Sequence, residues 1–171
     1  MNITIPGRPF YLAFLPDFLF RPDDNLARYA LRTWLLMVLP SIALSALVRL
    51  FTPVVGYVPP PLTPGVAFML IGVVPFLETL LLTGPLVLLN RVFGPGPAVV
   101  ASAIFWGGVH SLANNWTHGL VAWWPFLIMA IVFLAWRERG VLTAGLVVWL
   151  LHALQNSVPT CILLCLQIAS V

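Results

Sequence analysis

Apolar residues fall into five long stretches, residues 26–51, 65–89, 98–113, 119–136 and 141–157, each interrupted by at most a few polar side chains. An α-helix needs about 20 such residues to cross a bilayer core, so the pattern predicts an all-α, polytopic transmembrane bundle of five to six spans. Asp23, Asp24 and Asn25 supply a helix cap before the first run. The connections read as turns: residues 52–64 carry five prolines and no charge, residues 90–97 contain RVFGPGP, and residues 114–118 read NNWTH. Residues 159–171 form an apolar tail short for a span. Residues 1–25 are expected to form an N-terminal interfacial segment, uncleaved, because the apolar stretch 10–20 is broken by Pro16 and Asp17 and is rich in aromatics (Phe10, Tyr11, Phe14, Phe18, Phe20). Residues 26–171 then make one transmembrane domain.

Composition sharpens this picture. Of 171 residues, 61% are hydrophobic and 8% charged, against roughly 25% charged in ordinary soluble domains, so a large polar substrate domain is excluded. The net charge of +3 comes from eight arginines with no lysine, placed near the ends of apolar runs. That distribution orients a membrane protein and gives no nucleic-acid-binding stripe. Arg8, Arg21, Arg28, Arg91, Arg137 and Arg139 share one side; the loops 52–64 and 114–118 carry none, with Arg49 the exception. The N-terminus is therefore expected in the cytoplasm, and an integral protein of a bacterial inner membrane is expected. Cys161 and Cys165, four apart in an apolar stretch, read as small buried hydrophobes.

The chemistry lies in the few ionisable groups inside the runs. Glu78, His110 and His152 occupy three different spans, and at 1.5 Å rise per residue they lie roughly 17, 20 and 18 Å from the arginine-bearing side. An intramembrane acid or imidazole is costly unless it has a partner, and three at one depth are expected to converge. Asn156, one helical turn beyond His152, shares its face. A carboxylate beside imidazoles can activate water, and His152 and Asn156 can donate to the oxyanion of a tetrahedral intermediate.

The segments PFLETLLLTGPL (75–86), SAIFWGGVHSL (102–112) and TAGLVVWLLHALQNS (143–157) resemble, in this order, the three motifs of the CPBP intramembrane proteases, the family of the type II CAAX prenyl endopeptidases. The resemblance covers about half of the chain. It implies an endopeptidase that hydrolyses a membrane-embedded or prenylated substrate. Glu78 would activate the water, with His110, His152 and Asn156 as the other catalytic residues. Thr79 and Thr83 stand where the family has a second Glu and an Arg, and Trp106, not Phe105, has the four-residue spacing to His110.

Metal-free catalysis is expected, since Asn156 suits an oxyanion better than a metal; the alternative is zinc held by Glu78, His110 and His152. His118 reads as a loop surface residue, with a third metal imidazole as the alternative, and nothing in the sequence singles out Asn114 or Asn115 as donors at the mouth of the site. Pro75 is expected to kink the second span, and Gly84, Gly107 and Gly108 to permit close helix approach. The partners expected are a membrane-embedded or lipidated peptide and the bilayer. Two other functions share these residues: a non-catalytic protein binding a partner or peptide, as in bacteriocin immunity, and a proton-coupled transporter, against which the lack of an inverted repeat counts.

Overall fold

The computed structural model describes residues 10–52 and 61–169. Arg8 and most of the proline-rich connection, residues 53–60, lie outside the described residues. Five helices are long and apolar enough to cross a membrane: α1 Leu26–Phe51, α2 Pro64–Phe93, α3 Pro95–Ala113, α4 Trp116–Trp136 and α5 Val141–Ala169. No strand occurs among the described residues. The protein is an all-α integral membrane bundle.

Each helix boundary has a local cause. Asn25 accepts the Arg28 N–H at 3.0 Å to open α1, Thr63 accepts the Val66 N–H with Pro64 in the first turn of α2, and Asn115 accepts the His118 N–H at 2.9 Å to open α4. Asn115 is thus a helix cap. Gly94 and Gly140, at φ of +79° and +118°, make the turns between α2 and α3 and ahead of α5, where a side chain would be strained. The expected end of the last span near residue 157 is not found: α5 runs through Pro159 to Ala169. Thr160 Oγ1 bonds the Asn156 carbonyl at 2.8 Å, and Gln167 Oε1 accepts the Leu62 N–H at 2.7 Å, tying the far end of α5 to the entrance of α2.

Helix α4 is the axis. In its most apolar window 72% of residues are buried, against 17–39% in the other four helices. Every residue from Pro125 to Trp136 is buried, as expected of a helix that is apolar all round. The outer faces of the others carry exposed side chains such as Leu39, Leu81, Ile104 and Leu112, which suits contact with lipid. Cys161 and Cys165 also lie exposed on α5, not buried as expected.

Close packing is concentrated where α3 meets α4. A methyl group at Gly119 would overlap the Gly107 carbonyl and the Ser111 hydroxyl, and one at Gly107 would lie 3.1 Å from Trp123 Cβ. Gly84 and Gly108 have open space instead, so of the three glycines read as contact points only Gly107 is one, and its partner is Gly119. On the other flank, Pro40 leaves the Leu36 carbonyl without its donor four residues on, and Trp124 Nε1 fills the vacancy at 2.9 Å.

The segment before α1 packs into the bundle. Leu12, Leu15, Leu19 and Phe20 are buried, Phe14 stays exposed and stacks on Trp124, and Arg139 holds Asp24 at 2.8 Å. Tyr29 Oη donates to the Leu19 carbonyl at 3.0 Å, with its ring edge against Trp136. Tyr29→Phe orphans that buried carbonyl, at an expected cost of about 1–2 kcal/mol. Limited proteolysis should then cut the segment faster while the five helices stay protected; unchanged cleavage would mean that the leucines alone hold it.

Candidate functional site

The ionisable groups of the second, third and fifth helices meet over the fourth. Glu78 on α2 places Oε2 3.2 Å from His152 Nε2 on α5 and Oε1 3.8 Å from His110 Nε2 on α3. Side-chain exposures of 22% for Glu78, 16% for His110 and 5% for His152 mean that the cluster is closed on the α5 side and open between α2 and α3.

Hydrogen bonding distinguishes the two imidazoles. His110 Nδ1 lies 2.9 Å from the Trp106 carbonyl, one turn back on α3. A carbonyl only accepts, so Nδ1 carries the proton, and in the neutral ring Nε2 presents a lone pair toward Glu78. His152 is the reverse. Its buried Nδ1 has no hydrogen-bond partner, and an orphaned buried donor costs more than an orphaned acceptor site. The proton therefore belongs on Nε2, which donates to Glu78 Oε2. One face of the carboxylate is held by a donor and the other faces an acceptor.

Phe126, at the middle of α4, is the floor. Its ring centroid is 5.0 Å from that of His110 and 5.4 Å from that of His152, and it stacks on Trp106 at 4.9 Å. Among eleven phenylalanines no signal in the sequence picks it out, because an apolar residue on an apolar helix carries no pattern.

His118 is exposed, as expected, but lies in the first turn of α4 and not in a loop, with its ring edge-on to His110 at 5.3 Å. A signal for this was present in the chain. His110 lies four residues before the Asn114–Asn115 turn and His118 three after it, so an antiparallel hairpin brings them to one height.

Asn156 shares the face of α5 that carries His152, but its Nδ2 donates to the Leu70 carbonyl of α2 at 3.1 Å. Trp149, on the same face, donates from Nε1 to the Gly72 carbonyl at 3.0 Å. Both carbonyls belong to one π-helical turn, Met69–Val73, inside α2. Trp149 is therefore a polar contact to the helix that bears Glu78. Thr79 is buried with no hydrogen-bond partner for its hydroxyl, and Thr83 bonds back to the Leu80 carbonyl at 3.1 Å.

A metal ligand of the imidazole type needs its second ring nitrogen to donate to a carboxylate, carbonyl or water. If His152 bound a metal through Nε2, its proton would move to Nδ1, where it meets no acceptor. Zinc at that position would need a water as the acceptor at His152 Nδ1. Comparison of the chain with protein-family models, with curated proteins and with solved structures finds no match to any of them.

Proposed function

We propose that the protein is an intramembrane endopeptidase that cleaves a membrane-embedded or lipid-anchored peptide with a water activated by Glu78. The observation that carries this reading is the carboxylate held between a donor, His152 Nε2–H, and an acceptor, His110 Nε2. A water beside Glu78 Oε1 and His110 Nε2 gives one hydrogen to each and turns its oxygen lone pair outward. Attack on the peptide carbonyl forms a tetrahedral intermediate while the water proton moves to Oε1. Collapse breaks the C–N bond, and the same proton passes from Glu78 to the leaving amine, giving a free acid and a free amine.

His152 fixes the carboxylate through Oε2, and Asn156 keeps one amide hydrogen beyond the one given to Leu70 for the oxyanion. No metal enters the scheme, in keeping with the missing acceptor at His152 Nδ1. The apolar outer faces support a substrate that is itself membrane-bound, and the order of the motifs supports kinship with CPBP proteases. The arginine-rich side supports an N-terminus in the cytoplasm, and a bacterial inner membrane is the proposed location.

The test is incubation of the purified protein in detergent with membrane-anchored and prenylated peptides, reading cleavage by mass spectrometry with and without a zinc chelator. Chelator-insensitive cleavage is expected. His152→Ala is expected to lower it roughly 100-fold, the lower end for a lost acid–base partner, with an unchanged helical circular-dichroism spectrum; full activity in that variant would remove His152 from the scheme. A second reading is favoured by Thr79, buried and unpaired where the resembling proteases carry a Glu. In it the polar cluster binds a partner or peptide without cutting, and retention of peptides with no cleavage would establish that function.

A further inference from the structure

Nothing in the hydrolysis scheme uses the π-helical turn of α2, yet two side chains of α5 are committed to it. Its origin is chemical. Pro75 has no N–H, and its ring clashes with the carbonyl four residues earlier, so the α-helical ladder cannot pass through it. The Val74 N–H bonds instead to the Met69 carbonyl, five residues back. The Leu70 carbonyl is then stranded: its α-helical donor, Val74, is engaged, and its π-helical donor would be Pro75. Asn156 Nδ2 fills that place at 3.1 Å, and Trp149 Nε1 reaches the Gly72 carbonyl at 3.0 Å while its ring meets Phe76 edge-on. Residues 149, 152 and 156 lie on one face of α5, so the side chains that grip the turn flank the one that holds Glu78.

A π-turn carries one residue more than the α-turn it replaces, and each residue of an α-helix turns by about 100°. Whether the turn is π or α therefore decides whether position 78 points at His152 or away from it, and π-turns inside α-helices recur at functional sites for this reason. We infer that Trp149 and Asn156, by capping the carbonyls of the Pro75-induced π-turn, are the positioning residues that aim Glu78 at His152. The consequence for hydrolysis rests on the function proposed above; the aiming of the carboxylate does not.

The experiment separates the two. The chain has three histidines, so ¹⁵N-histidine labelling of the detergent-solubilised protein gives a sparse spectrum, assignable by single His→Gln variants. Glu78→Leu defines the His152 signals without the carboxylate. Trp149→Phe keeps the ring and removes the donor, and Pro75→Ala restores the N–H that lets the ladder return to α; the second change favours helix, so folding is preserved. Pro75→Ala is expected to move His152 Nε2 to the position seen in Glu78→Leu, and Trp149→Phe, which leaves Pro75 in place, to shift it part of the way there. Where the wild type cleaves peptide, both are expected to lower kcat at least tenfold with little change in KM. A His152 signal left at its wild-type position in Trp149→Phe overturns the inference, whether or not any peptide is cut.

Discussion

In the proposed endopeptidase, Glu78→Gln is expected to abolish measurable peptide hydrolysis, with a loss of roughly 10²–10⁴-fold, the range for removing a general base. The amide matches the carboxylate in shape, and its carbonyl oxygen still accepts from His152 Nε2–H, so the 3.2 Å contact has a successor. What the amide lacks is any means to take a proton from water. The loss is therefore expected in kcat, with peptide binding and the helical spectrum unchanged. The measurement is cleavage of a membrane-anchored peptide by wild type and variant in parallel, read by mass spectrometry. Equal cleavage by both would end the assignment of Glu78 as base. Peptide binding by both with cleavage by neither would move the protein to the binding function, for which the same side chains serve.

The second large effect concerns folding. Gly119→Ala is expected to cost about 3 kcal/mol or more, the upper part of the range for overpacking, because the added methyl group meets the backbone carbonyl of Gly107 and the Ser111 hydroxyl. A flexible side chain could swing aside; a helix backbone cannot. Separation of α3 from α4 would also pull His110 from His118 and from Phe126. Gly108→Ala is the control. No atom lies within 4 Å of its added methyl, and alanine is the better helix former by about 1 kcal/mol, so this variant should be at least as stable as wild type. Unfolding of both in a denaturing-detergent titration checks the pair. Equal stability of the two variants would mean that α3 and α4 pack less closely than this.

Much of the architecture was legible before any coordinates. Five to six spans were expected and five such helices are present among the described residues, since runs of apolar residues near bilayer length admit little else. Boundaries were less legible. α5 continues past Pro159, where the sequence suggested a stop; there the Thr160 hydroxyl bonds the Asn156 carbonyl and Gln167 ties the extension to the entrance of α2. Cysteines 161 and 165 face outward for the same reason: the helix that carries them extends beyond the packed core.

At the site, Glu78, His110 and His152 could be paired from depth alone, because a rare polar group in an apolar span has few places to go. Their number and rise per residue are properties of the chain. The tautomer of each imidazole is not. It depends on a Trp106 carbonyl that lies within reach of His110 Nδ1 and on the absence of any acceptor near His152 Nδ1. Phe126 and Trp149 were invisible for a related reason: aromatic residues are common in membrane helices, and only the crossing of α4 and α5 with their neighbours makes one a floor and the other a donor. Hydrophobicity and helical pitch alone fixed the apolar runs that become helices and the rare polar residues at one depth. Which carbonyls each proline leaves open, which side chains fill them, and hence where the Glu78 carboxylate points were decided only by tertiary structure, because these are contacts between helices distant in the chain.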